Sequence, residues 1–375
     1  MSRLLLSRFG LGLILMLACS SLIWGGNPGS SYKVLSPISH GNLTIFPVVS
    51  SNTHDTSEFI TLDEGIRSGE VVITEAGRLG GLIRGPHHRI PVTAPQVNSL
   101  VLVNNSKHPL ILLAGEIVTG GKQDRVVGKD RVIPAESDPV DLGVFCVERG
   151  RWTESSAQFS TMKSQMAQPS VRSKAMVAQD QRQVWESVGA ANGAVHGALL
   201  GGVASPAPSS YAKTFDDEKI RKIIAEQAAP LEQSYSSLMK QLRDQHAVGV
   251  VVAVGGQLIW ADLFASTPLL EKYWPKLVRS YAAEAVTTRT AAKPVSSAEA
   301  QQFLDRTEGT RQMIESEPGV YRQSETIAPN FKLFTLASLL PGTGFDLHIS
   351  KIADSSRPSP EIGKLSPVGV WSETH

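Results

Sequence analysis

Residues 248–264 read VGVVVAVGGQLIWADLF. Two strand-like apolar runs, Val248 to Val254 and Leu258 to Phe264, flank Gly255-Gly256. Two glycines between such runs predict a β-hairpin, because its tight turn needs positive φ at both central positions. Thr267-Pro268 then reads as the N-cap and first residue of a helix. That helix carries Leu269, Leu270, Tyr273, Trp274, Leu277, Val278 and Tyr281, with Pro275 expected to kink or restart it. Ser296 and Glu299 form a capping box, and Lys332 to Leu339 and Phe345 to Ile352 are further strand candidates. Residues 248–352 thus read as a hairpin-helix-strand unit.

Upstream, residues 32–152 read as β-rich. Leu43, Ile45, Pro47 and Val49 share one parity, Val71 to Thr74 is short and β-branched, and Thr61 with Glu64 caps one helical turn. Leu100 to Val103 and Leu110 to Leu113 flank a turn-rich Asn104 to Pro109, which predicts a second hairpin. Residues 170–245 read as helical. Val177, Val184, Trp185 and Val188 recur at helical intervals, and Leu231, Tyr235, Leu238 and Leu242 make an apolar stripe. Between them, a Gly-, Ser- and Pro-rich segment predicts a flexible loop over 189–213. From Asp354 the composition predicts a disordered tail, 354–375. The expected fold class is α+β: a mainly antiparallel sheet or sandwich in the N-terminal part, with helices and a further hairpin in the C-terminal half.

Residues 1–26 have the parts of a secretory signal peptide: Arg3 and Arg8, an apolar run from Phe9 to Ala18, then Cys19, Ser20 and Ser21. Met16-Leu17-Ala18-Cys19 also resembles a lipobox, which would anchor the chain through Cys19, and an uncleaved N-terminal anchor is the third route. Each leads to a periplasmic, secreted or membrane-tethered protein of the bacterial envelope. With 36 basic and 35 acidic side chains the net charge is +1, so no global field directs the chain to nucleic acid. Only Cys146 is certain to persist after export, so stability must come from the core rather than from an internal disulfide.

The densest chemistry lies in residues 115–152, GEIVTGGKQDRVVGKDRVIPAESDPVDLGVFCVERGRW. Gly120-Gly121-Lys122 is not a nucleotide P-loop, since Glu116 stands where a small residue is needed and Gln123 replaces the hydroxyl. Two readings stay open for it: a small anion-binding nest, and a tight turn with solvated charges. Cys146 shares a strand parity with Val140, Leu142 and Val144, which points it into a core and away from a phosphatase- or rhodanese-type cysteine loop. The histidines lack metal spacing, so neither a metal nor a cofactor is implied. No Gly-x-Ser-x-Gly elbow is present.

ISHGNLTIFPVV (38–49), FITLDEGIRSGEVVITE (59–75), LAGEIVTGGKQDRVVGKDRVIPA (113–135) and FCVERGRW (145–152) carry a family resemblance. Together they resemble the ARG and rhodanese-phosphatase-superfamily-associated protein domain. In that family a Gly-Glu, a Lys-Gln-x-Arg and a Cys-x-Glu-x-Gly-Arg-Trp follow in order. Here they would be Gly115-Glu116, Lys122 to Arg125 and Cys146 to Trp152. The resemblance extends to about Ser350 and implies genomic association with phosphatase-type proteins, but no activity.

Two functions are carried forward. One is an envelope binding module, in which Glu116, Lys122, Gln123, Asp124, Arg125, Glu148 and Arg151 form a charged hairpin site for an anionic small molecule or an envelope protein. The other is a hydrolase or transferase acting on phosphate or carboxylate groups, with Glu116 as acid/base and Lys122, Arg125 and Arg151 as anion clamps. In either case Glu116 is expected to be buried and paired with a cation from residues 122–151.

Overall fold

The computed structural model describes residues 31–78, 98–199, 208–242, 245–288 and 293–354. The signal-peptide reading, Cys19, His87-His88 and the tail beyond Asp354 lie outside the described residues. In chain order the first part contributes β1 (Tyr32–Val34), β2 (Ile38–His40), β3 (Leu43–Ser50), β4 (Ile60–Thr61), α1 (Leu62–Ser68), β5 (Val71–Thr74) and β6 (Ser99–Asn104). It continues with β7 (Leu110–Leu112), β8 (Ile117–Thr119), β9 (Arg125–Val127), β10 (Arg131–Ile133), β11 (Val140–Cys146) and β12 (Ser160–Thr161). The middle holds α2 (Pro169–Ser173), a π-helical turn (Lys174–Ala178), α3 (Gln181–Leu199), α4 (Tyr211–Phe215) and α5 (Glu218–Gln241). Last come β13 (His246–Val254), β14 (Gln257–Phe264), α6 (Thr267–Val286), α7 (Ser297–Asp305), β15 (Thr310–Glu317), β16 (Tyr321–Ala328), β17 (Phe331–Ser338) and β18 (Asp346–Ala353).

The fold is α+β with mostly antiparallel sheets. The largest sheet has nine strands in the order β1-β3-β13-β14-β18-β17-β16-β15, with β2 also on β3. A six-stranded sheet runs β12-β8-β9-β11-β6-β5, and a three-stranded one runs β10-β7-β4. The Gly255-Gly256 hairpin forms as its residues dictate: Val254 faces Gln257 across the turn, with φ of 58° and 73° at the glycines. Both capping boxes, Thr61 with Glu64 and Ser296 with Glu299, are made. One face of the large sheet packs Val250, Val252 and Trp260 against Tyr273, Leu277 and Tyr281 of α6. Its other face packs Val248, Val251 and Ile349 with Ala300 and Leu304 of α7. Leu62, Ile73, Leu102, Leu112, Val127 and Val144 form a separate core in the smaller sheets.

Several expectations need correction. Strands β6 and β7 are not a hairpin: β6 pairs with β11 and β5, and β7 with β10 and β4. The Asn104 carboxamide donates to the carbonyls of His108 (2.9 Å) and Pro134 (2.8 Å), so side-chain bonds replace the ladder and send the chain to another sheet. The expected helix over 171–188 breaks at Gln179, which is left-handed at φ 48°, after the π turn. The expected loop over 189–213 is helical to Leu199 and again over Tyr211–Phe215; residues 200–207 are outside the described set. Val184, Val188, Ala191 and Val195 bury one stripe of α3, and tertiary burial outweighs the roughly 1 kcal/mol cost of each helical glycine. Finally, α6 runs through Pro275, and its N-cap is Ser266, whose Oγ accepts from the Leu269 amide at 3.1 Å. Strands β1 to β3 also leave the N-terminal part and complete the C-terminal sheet through β3 on β13.

A buried ionic network joins these layers. Arg172 of α2 donates to both oxygens of Asp262 on β14, at 2.8 and 3.1 Å, and to the Ala114 carbonyl at 2.9 Å. Asp262 also accepts from Ser350 Oγ (2.7 Å) and from the Tyr281 hydroxyl, and His348 Nε2 stands 3.1 Å away. The other ring nitrogen of His348 meets Asp130 at 2.6 Å, and Asp130 accepts from the Ala114 amide at 2.7 Å. Arg172, Asp262, His348 and Asp130 are each at most 1% exposed. Burial would raise the Asp262 carboxyl, but Arg172 and His348 outweigh it and hold it well below the usual range. Burial would lower the His348 imidazole, but Asp130 and Asp262 outweigh it and raise it. Removing one partner of a buried pair leaves a bare charge, so Arg172→Leu should cost about 3–5 kcal/mol in urea unfolding. A loss below about 1 kcal/mol would show the pair to be dispensable.

Candidate functional site

The residues singled out by sequence divide into two clusters. Asp124, Arg125, Glu148 and Arg151, with Gln123, form a knot where the turn after β8 meets the chain leaving β11. Arg151 Nε and Nη2 bind Glu148 Oε2 at 2.7 and 2.6 Å, and Nη2 reaches Asp124 at 3.3 Å. Its Nη1 donates to the carbonyls of Gly121 (2.9 Å) and Thr153 (2.8 Å). Gln123 donates to the Glu148 carbonyl (3.1 Å), and the Asp124 amide to the Glu148 carboxylate (3.3 Å). Burial would raise Glu148, but the bonds and charge of Arg151 bring it below the ordinary carboxylate value. Burial raises Asp124.

The glycines shape this knot. Gly120 and Gly121 have φ of 131° and 47°, and a Cβ on Gly121 would stand 2.2 Å from the Phe159 ring. The turn amides point at carboxylates: Gly120 N at Asp124 (3.0 Å) and Lys122 N at Glu75 (2.8 Å). Of the two readings left open for this turn, the nest geometry is present, but its anions are the protein's own. Arg125 is fully buried, and the charges acting on it are those of Cys146, Glu75, Asp124 and Arg151; burial lowers it. Cys146 is buried on β11, antiparallel to β9, with its Sγ 3.1 Å from the Glu148 carbonyl, and burial raises its thiol. A parallel sheet feeding a cysteine loop is not formed here.

At the rim, Lys122 Nζ sits 5.0 Å from the Trp152 ring centroid, and Trp152 is 46% exposed. Lys213 reaches Glu148 at 3.4 Å with its side chain 70% exposed. Arg149 is exposed and lies over the Trp185 ring.

Glu116 belongs to the second cluster. It is buried as expected, but its cation is Lys276 of α6, at 3.8 Å, and not one from residues 122–151. Lys276 comes from α6, far along the chain, while the acids whose charges act on Arg125 are Glu75 and Asp124, so sequence proximity misled. Lys276 also pairs with Asp63 of α1 at 2.9 Å, and Glu116 Oε2 accepts from the Leu113 amide at 2.9 Å. Burial pushes the Glu116 carboxyl up to about 7 against the pull of Lys276. Gly115 beside it is at φ 92°, and a Cβ there would meet Arg172 at 2.7 Å, so this glycine is what lets Arg172 pass. Sequence reasoning missed Arg172, Asp262, Lys276 and Glu75, and it passed over His348 with the other histidines that lack metal spacing. Asp262 and His348 each interrupt an apolar strand on a buried parity, and that was the available signal.

An acid whose folded value is raised adds stability that is complete below its unfolded value and is lost as pH rises through the folded one. For Glu116 that window runs from about 4.5 to about 7. Glu116→Gln should therefore match the parent near pH 4.5 and exceed it by ~3 kcal/mol near pH 8, as about 1.4 kcal/mol per pKa unit requires. Urea titrations at the two pH values measure it, and a variant weaker at pH 8 would contradict the assignment.

Gly115-Glu116, Lys122 to Arg125 and Cys146 to Trp152 thus hold the two clusters, and they lie within a match to a family model that spans residues 31–350. No curated protein and no solved structure matches the chain. The chain belongs to the family of the ARG and Rhodanese-Phosphatase-superfamily-associated Protein domain.

Proposed function

We propose that the protein is a binding module of the bacterial envelope that holds an acidic partner at the rim of the charged knot. The carrying observation is the Lys122–Trp152 pair, an ammonium over a half-exposed indole. Beneath it Glu75, Asp124 and Glu148 are turned inward, each accepting from protein donors. What the rim offers outward is therefore cationic and aromatic: Lys122, Trp152, Arg149 and Lys213. Tryptophan anchors beside positive charge are effective docking groups for acidic surfaces.

The hydrolase or transferase reading draws support from one fact, the value of about 7 at Glu116, which suits proton transfer at neutral pH. Against it, Glu116 is 1% exposed, and the nitrogens of Arg151 are occupied by Glu148, Asp124 and carbonyls. The clamp and the acid/base belong to different clusters.

Binding of a fluorescein-labelled hexaglutamate peptide tests the module. Trp152→Ala should weaken it by more than about tenfold, the usual effect of truncating a tryptophan anchor, and Lys122→Glu should do the same with a strong salt dependence. Turnover of a chromogenic phosphate or ester that Glu116→Gln abolishes would replace this reading with the enzyme.

Export is proposed from Arg3, Arg8 and the apolar run they precede. Fractionation of tagged cells should recover the chain in the envelope fraction. Full-length protein in the cytosol would end the proposal, and lipid labelling that Cys19→Ser removes would identify the lipid-anchored form.

A further inference from the structure

His348 stands where the large sheet meets the loop between β9 and β10, and both nitrogens of its ring face a carboxylate. Nδ1 lies 2.6 Å from Asp130 of that loop, and Nε2 lies 3.1 Å from Asp262 of β14. A neutral imidazole has a proton on one nitrogen and a lone pair on the other, so it can donate to only one of them. The other carboxylate would then face a lone pair in a region sealed from water, since all three residues are at most 1% exposed. Both acids behave as acceptors elsewhere too: Asp130 takes the Ala114 amide at 2.7 Å, and Asp262 takes Arg172 at 2.8 Å. Only the doubly protonated ring satisfies both contacts.

The groups around the ring set its charge balance. Arg172 of α2 binds Asp262, and the Ser350 hydroxyl of β18 and the Tyr281 hydroxyl of α6 donate to the same carboxylate. Phe264 of β14 lies 4.7 Å from the ring between centroids, and Leu336 is its partner on β17; neither carries charge. Tyr273 of α6 donates to the Ile111 carbonyl at 3.0 Å and stays neutral. Beyond Asp130 lies Glu116, whose carboxyl feels the Asp130 charge, with Lys276 and Asp63 beside it. Asp130 and Asp262 are therefore balanced by Arg172 and His348, and Asp63 by Lys276, while His348 is charged and Glu116 is neutral. Rising pH removes a proton from each of these last two groups and leaves uncompensated negative charge in one closed space.

The effect would be felt at a joint. Asp130 holds the Ala114 amide, and the Ala114 carbonyl accepts from Arg172 Nε at 2.9 Å, so residue 114 is tied into the circuit at both ends. We propose that His348 is a pH-operated lock between the large sheet and the β9–β10 loop, closed while both ring nitrogens carry protons and released in alkali when one is lost. A base whose folded value is raised gives stability that is complete below its unfolded value, 6.5, and is lost as pH rises through the folded one. The lock therefore holds in acid and at neutrality.

Nitrogen-15 NMR of the full chain with labelled histidine reads the ring directly, and His348→Gln identifies its signal among the nine histidines. Both ring nitrogens should remain protonated above the ordinary histidine value of about 6.5. Asp130→Asn should bring the midpoint down by about one pH unit or more, the usual effect of removing an adjacent opposite charge. Hydrogen exchange at the Ala114 amide, corrected for the intrinsic effect of pH, is followed in Glu116→Gln so that the neighbouring acid does not titrate. It should quicken by about tenfold or more with the same midpoint as the ring, while the amides of β13 stay protected. The ring titration and the exchange leave the His348–Asp130 contact unaltered, so they decide the matter even if Asp130→Asn fails to fold. A singly protonated His348 below about pH 6.5, or Ala114 exchange unchanged across the loss of the ring proton, would overturn the lock.

Discussion

The structure depends on the buried pair of Arg172 and Asp262. Neither charge can be left alone in a region sealed from water, so each imposes demands on its surroundings. Asp262 recruits Ser350, Tyr281 and His348, and His348 in turn recruits Asp130. The Nε of Arg172 takes the carbonyl of Ala114, whose amide binds Asp130. The circuit closes across α2, the large sheet, α6 and the loop between β9 and β10. A polar circuit of this kind fixes relative positions that apolar packing alone leaves loosely specified. It also gives the glycine of the Gly-Glu motif a physical reason, since a Cβ at residue 115 would collide with Arg172.

The charged knot follows a different logic. A turn rich in glycine exposes a row of amides, and such a row attracts anions. In this protein the anions are supplied internally by Glu75 and Asp124, and Arg151 balances the surplus through Glu148 and Asp124. The Cys-x-Glu-x-Gly-Arg-Trp segment therefore reads as architecture for four of its positions. Its cysteine packs, its glutamate and arginine pair, and its glycine at φ 95° turns the chain. The tryptophan faces outward, as does Arg149 at one of the variable positions.

Local rules in the sequence were legible where one short segment decides the outcome. The two-glycine hairpin, both capping boxes and the inward parity of Cys146 all formed from their own residues. Rules that need a distant partner were not legible. Nothing in Leu43–Ser50 announces that it lies on β13, nor does Glu116 reveal Lys276 some 160 positions away. Strand β15, read TRQMIESE, has polar residues on both faces and no apolar alternation to betray it. Helix α3 was hidden by its glycines, because composition records propensity and not the buried stripe that overrides it. In the knot, Gln123, Asp124, Glu148 and Arg151 do lie together, while the partition of Glu116 away from Arg125 needed three dimensions.

The pairing of β3 with β13 carries a consequence for biogenesis. The sheet's interior is assembled from a strand near residue 45 and another near residue 250, so some 200 residues must be available before the central ladder can zip. Loop closure over that span delays the nucleus, and folding of such non-local sheets is slow. A chain emerging from its N-terminus would hold β3, paired only with the short β1 and β2, with its other edge open until the last third arrived. That delay leaves the open edge of β3 exposed to aggregation if synthesis stalls.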